Sequence, residues 1–116
     1  MSLTTYRDLH AWQKAMLLVE AAYRFSAAFP AQEKFGLQSQ IRRAAVSVPS
    51  NIAEGYGRSN RGEYLYHLSI ANGSLKEMET QTILAVRLEF VSREQSTRPW
   101  QLAQACGQLL NRLMAS

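Results

Sequence analysis

The sequence predicts an all-α protein, an antiparallel up-down-up-down four-helix bundle forming a single domain over residues 1–116. Three observations predict it. Four segments carry apolar residues at steps of three and four, the period of a helix with one buried face. No stretch alternates apolar and polar residues between turn signals, so no sheet is expected. The stretches "FPAQ", "GYGRSN" and "EFVS" between the segments are short, and short links make consecutive helices antiparallel neighbours.

The first segment steps through Leu9, Trp12, Met16, Val19, Tyr23 and Ser26, with Asp8 as the expected N-cap and Pro30 closing it. The second steps through Leu37, Ile41, Ala44, Val48 and Ile52. Pro49 lies inside that stripe. It lacks the N–H that would reach the carbonyl of Ala45, which costs an isolated helix about 3 kcal/mol. Packing must offset this, with Ser47 or Ser50 helping to satisfy the freed backbone, so one kinked helix is expected rather than two.

The third segment steps through Tyr64, Leu68, Ala71, Leu75, Met78, Thr82 and Ala85, widened by Leu65, Ile70, Ile83 and Val86. The fourth aligns Leu102, Cys106, Leu109 and Leu113. Its start has two solutions. A capping box of Ser92 and Gln95 starts it early and places Pro99 inside; Thr97 starts it late, with Pro99 in the first turn. The early start with a distortion near Pro99 is preferred.

Composition narrows the function classes. Net charge is +4 and the pI about 9.6, with arginine supplying most of the cations. Arginine forks match phosphate geometry, so nucleic acid is the partner class to weigh against a merely soluble surface. The single Cys106 makes no intramolecular disulfide and fits a reducing, cytoplasmic setting. The start MSLTTYRDLHAW shows no leader pattern, and no apolar run approaches the length of a membrane span.

Enzyme chemistry finds little support. His10 and His67 are the only histidines and Asp8 the only aspartate. No nucleophile motif accompanies them. "EYLYH" separates Glu63 from His67 by four residues, unlike the Glu-x-x-His of di-iron bundles. The expectation is no catalytic residues, no metal and no cofactor, with Cys106 in the core.

The stretch "SVPSNIAEGYGRSNRGEY" concentrates the informative residues. Gly55 and Gly57 end the second helix, with Gly57 expected as a left-handed C′ residue. Asn60 and Glu63 form the next capping box. No strand precedes the glycines and no Gly-Lys-Ser/Thr follows, so the stretch is a helix-to-helix corner and not a phosphate loop. It sets Arg58 and Arg61 beside a helix N-terminus, which favours anions.

Gln40, Arg43, Ser47, Asn51, Glu54 and Arg58 form a polar face along the second helix. It is either a solvated face with a Glu54–Arg58 pair or a recognition stripe, the latter favoured because Ser and Asn are poor helix formers. Gly73 is expected to admit a close helix. Ser74 is expected to bond back to a carbonyl one turn earlier, and Glu77 to reach an arginine on a neighbouring helix or subunit. Leu17 with Leu18, and Leu65 with Ile70, add apolar surface outside one stripe, which points to subunit contacts. Exposed aromatics for base stacking look scarce, with Tyr56, Tyr64 and Tyr66 the only cluster, better placed to pack helix ends.

"QIRRAAVSVPSNIAEGYGR" followed by "IANGSLKEMET", with "YRDLHAWQKA" and "FPAQEKFGLQSQ" upstream, resembles the four-helix bundle family of the 23S rRNA intervening-sequence proteins. The likeness covers roughly Tyr6 to Val91, with Val48 in place of the usual isoleucine and Gly62 intruding before Glu63. It marks Pro49, Asn51, Glu54, Gly55, Gly57, Gly73, Ser74 and Glu77 as motif positions. It implies an antiparallel bundle and a ring-like homo-oligomer, a pentamer. A relative, the accessory variability determinant protein of retroelements, is a basic pentamer that binds a reverse transcriptase.

Two functions follow as expectations. One is a non-enzymatic homo-oligomeric scaffold contacting RNA or DNA phosphates through Lys34, Arg42, Arg43, Arg58 and Arg61. The other is a module that docks a protein partner, such as a nucleic-acid enzyme, without touching nucleic acid.

Overall fold

Helix α1 runs His10–Ser26, α2 Leu37–Tyr56, α3 Arg61–Arg87 and α4 Thr97–Ala115. The computed structural model describes residues 5–116, so the leader reading of residues 1–4 lies outside it. The described residues contain no strand. Each helix packs on its sequence neighbours, α1 closes the ring against α4, and the α2–α3 pairing is the most extensive. The molecule measures 44 × 24 × 20 Å, set by α3, whose length at 1.5 Å per residue is about 40 Å.

The core is continuous. Leu18, Ile41, Ile52, Leu68, Leu75, Met78 and Leu110 are fully buried in its middle. The stripes expected for α2 and α3 are the buried ones, save that Tyr64 is only half-buried. In α1 the buried face is Ala11, Ala15, Leu18, Ala22 and Phe25, while Met16 and Tyr23 are exposed. The larger side chains suggest a stripe one position off. The small alanines win the interior because they let α1 lie close to its neighbours, and Leu18 is core rather than spare surface.

Helix ends depart from expectation for local reasons. Asp8 does not cap α1. It closes a capping box with Thr5 around a 3-10 turn, Tyr6–Asp8, and α1 starts after Leu9 without a side-chain cap. The Ser92–Gln95 box is real, at 2.8 and 3.1 Å, but it caps a 3-10 turn, Glu94–Ser96, and α4 begins at Thr97. Pro99 therefore lies in the first turn, where its missing N–H is no loss. Pro49 is buried within a continuous α2. Ser47 is occupied by Asn51 and Ser74 instead of the Ala45 carbonyl.

Gly57 is right-handed, with φ −78°. The left-handed residue is Glu89, at φ 62°, past the end of α3. Its N–H donates to the Val86 carbonyl at 3.0 Å, and the Phe90 N–H to that of Ala85 at 2.9 Å, a Schellman closure. Phe90 then packs at a tilt on Phe29, 6.0 Å between centroids, Phe29 itself being edge-on to Phe25, and seals that end of the core. Burial pushes the Cys106 thiol up to about 12, opposed by Lys14, which leaves it an inert core residue.

A non-glycine residue in the left-handed region costs roughly 1–2 kcal/mol. Glu89→Gly is expected to raise unfolding stability by about 1 kcal/mol, read as a higher urea midpoint at unchanged m-value.

Candidate nucleic-acid interface

The polar face of α2 is not one continuous outward stripe: Gln40, Arg43, Glu54 and Arg58 are exposed, while Ser47 and Asn51 are half-buried. Its middle forms a seam with α3. The Asn51 side chain donates from Nδ2 to the Ser47 carbonyl at 2.9 Å and hydroxyl at 3.0 Å. Ser74 donates across the helix pair to the Ser47 hydroxyl at 2.8 Å. His67 Nδ1 lies 3.1 Å from Asn51 Oδ1 and 3.4 Å from Glu54 Oε2, so the ring proton sits on Nδ1 between two acceptors. Ser74 thus bonds across the interface and not back along α3. Glu54 pairs with His67 and not with Arg58.

Below the seam the helices come close. A Cβ on Gly55 would stand 3.0 Å from His67 Cβ and 3.3 Å from the Tyr64 carbonyl, which is why this position is glycine. Gly73 is the opposite case. Outside its own stretch of helix, nothing among the described residues comes within 4 Å of the position its Cβ would take, so it admits no helix of this bundle. Glu77 accepts from Gln81 at 3.5 Å and makes no ion pair with an arginine among the described residues.

The five expected phosphate-binding cations fall into two groups. Lys34, Arg42 and Arg43 line one open groove of about 490 Å³ at the start of α2. Tyr23, Phe35 and Gln38 complete much of its wall, and no carboxylate lines it. Arg42 is partly spent on the fold: Nε donates to the Ser26 hydroxyl at 2.8 Å and a terminal nitrogen to the Tyr23 carbonyl at 3.2 Å. Arg43 is exposed and makes no hydrogen bond or ion pair within the described residues.

Arg58 and Arg61 line a shallow hollow of about 430 Å³ at the α2–α3 corner. The Asn60 side chain caps α3 by accepting from the Glu63 N–H at 2.9 Å. Arg61 donates to the Met114 carbonyl at 3.4 Å, near the negative end of α4. Tyr64 beside it has its phenol raised above the usual range by burial, with Arg61 pulling the other way and Tyr56 adding to the rise. Arg43 lies about 20 Å from the end of α2 at Tyr56, at 1.5 Å per residue, so one phosphate cannot engage both groups.

Sequence reasoning missed Phe35. It is 89% exposed, the most open large apolar side chain of the described residues. In the sequence the tyrosines near the corner stand out as the aromatic cluster instead. No cluster of metal-ligating side chains occurs among the described residues, and no helix there is long and apolar enough to cross a membrane.

The family model described as 23S rRNA-intervening sequence protein matches residues 7–112. A solved structure of similar fold is that of a protein with unknown function from the S23 ribosomal protein family, from Bacteroides thetaiotaomicron. It is 24% identical, covers 91% of this chain and 99% of its own, and superposes with a TM-score of 0.81. No curated protein matches.

The seam sets a stability expectation. Asn51→Ala removes the nearer of the two acceptors of the His67 donor, leaving Glu54 at 3.4 Å, and is expected to cost about 1 kcal/mol in urea unfolding. In a double-mutant cycle with His67→Ala the pair should couple by about 0.5 kcal/mol or more; strict additivity would remove the bond from the energetics.

Proposed function

The chain belongs to the family of 23S rRNA-intervening sequence proteins, and from that premise we propose a non-enzymatic, homo-oligomeric scaffold that associates with nucleic acid in the cytoplasm. The observation that carries this reading is the groove at the start of α2. Three cations converge there with no carboxylate among the lining residues. Such a surface attracts polyanions and releases their counterions on binding. Arg58 and Arg61 form a second, smaller basic point at the other end of α2.

Subunit contacts draw support from a second surface. Ile83, Leu84, Leu88 and Trp100 stay exposed on α3, just past its end and on α4, beside a hollow of about 620 Å³ lined in part by Val86. A monomer gains nothing by leaving apolar side chains of this size together in water. In this proposal they lie between copies in a closed ring, of five subunits as in the family. The same surface favours the second reading, in which it docks a partner protein and the arginines only steer the encounter.

Binding of duplex RNA and duplex DNA across a salt series tests the first reading. A linear fall of log affinity with log salt is expected. Lys34→Gln and Arg43→Gln should each flatten the slope by about 0.9 on duplex DNA. An unchanged affinity in the double variant excludes the groove, and pull-down of a protein partner after nuclease treatment then favours the second reading.

Light scattering at micromolar concentration is expected to give a mass several times the 13.1 kDa of one chain. A 13.1 kDa particle would remove the ring.

A further inference from the structure

Phe35 stands in the link between α1 and α2, and the link is built to hold it out. The Lys34 N–H donates to the Ala31 carbonyl at 3.2 Å and the Gly36 N–H to the Glu33 carbonyl at 3.0 Å. The Glu33 carboxylate then turns back and accepts from the Leu37 N–H at 2.9 Å, capping α2. A Cβ on Gly36 would meet that carboxylate at 2.7 Å, so glycine here is what lets the cap close. The turn is bonded on both sides of Phe35, and the ring is left in water with a fixed base.

The ring is not isolated among polar groups at random. Lys34 Nζ lies over it, 5.6 Å from the centroid. In the same groove the Arg42 guanidinium lies 4.5 Å from the centroid of Tyr23, which is 43% exposed. Two rings, each paired with a cation, thus share one carboxylate-free groove, and Arg43 adds a cation with no hydrogen bond or ion pair among the described residues.

We propose that this groove takes single-stranded nucleic acid, with an unpaired base stacked on Phe35 and the flanking phosphates held by Lys34 and Arg43. The inference rests on the nucleic-acid reading above and narrows its substrate. Aromatic side chains beside a positive groove are the elements of single-strand binding, because every base has a π-face. A base-paired duplex keeps those faces covered by its own stacking and offers Phe35 nothing. The cations alone serve either polymer; the ring distinguishes them.

Fluorescence anisotropy with labelled oligouridylate, oligothymidylate and a duplex RNA of the same length tests this, using the full chain at low salt. Phe35→Ala is expected to weaken single-strand binding about tenfold or more and to leave duplex binding and the salt slope unchanged. Phe35→Trp is expected to restore affinity, and its added emission should be quenched by the oligonucleotide. Either single strand meets the proposal, and the tighter one names the polymer.

Equal effects of Phe35→Ala on single strand and duplex, or none on either, overturn the proposal while a bound duplex leaves the scaffold reading standing. A drop in particle mass for Phe35→Ala also overturns it, since the ring is then a subunit contact. Failure of the unaltered protein to bind any of the three removes both readings.

Discussion

The hydrogen bonds that run from Ser74 through Ser47 and Asn51 to His67 and Glu54 set the register of α2 against α3. Apolar contacts are permissive about small slides along a helix; a directional chain of donors and acceptors is not. His67 and Ser74 lie two turns apart on one face of α3, as Ser47 and Asn51 lie one turn apart on α2. A slide of one turn would break the donor–acceptor pairing all along the seam. The close approach at Gly55 locks the same register from the corner side. Pro49 sits between Ser47 and Asn51, so the helix interrupted by a missing backbone donor is held by side chains on both flanks.

Arg42 does for α1 and α2 what Asn51 does for α2 and α3. It gives a guanidinium to the Ser26 hydroxyl and Tyr23 carbonyl and lays its plane near the Tyr23 ring. Those contacts hold the last turn of α1 against the first turns of α2, the Tyr23 carbonyl also accepting from the Ala27 N–H at 3.1 Å. The groove is therefore a by-product of a structural bond. One arginine fastens the helices, and its neighbour in sequence, turned about 100° around the axis, is left free above them.

The fold was legible in the sequence because the stripes of α2 and α3 carry large aliphatic residues at the right spacing. The face of α1 was not, since Ala11, Ala15 and Ala22 give little hydropathy contrast against Met16 and Tyr23. Glycine carried a misleading signal twice. Gly57 invited a left-handed cap that the chain places at Glu89, where the C-terminal closure of α3 requires it. Gly73 invited a close helix and faces open space. At the candidate interface the cations were legible as residue types. The meeting of Arg58 and Arg61 at the corner was legible too; the meeting of Lys34 with Arg42 and Arg43 in one groove, and the exposure of Phe35, were not, because both depend on the turn closed by Glu33 and Gly36.

Charge that is spent inside the fold cannot also bind a partner, and this limits what one subunit can do. Arg42 and Arg61 each make a bond to another helix, Glu54 is engaged by His67, and the groove cations without a hydrogen bond or ion pair among the described residues are Lys34 and Arg43. A surface with so few phosphate contacts has a shallow salt dependence and a weak affinity on its own. On the proposed reading the remedy is repetition. Copies arranged in a ring present the same groove several times, and once one is occupied the next meets a strand at high effective concentration. Oligomerisation and nucleic-acid binding are then one device: a bundle that uses two of its five candidate cations to hold itself together regains affinity by multiplying the remainder.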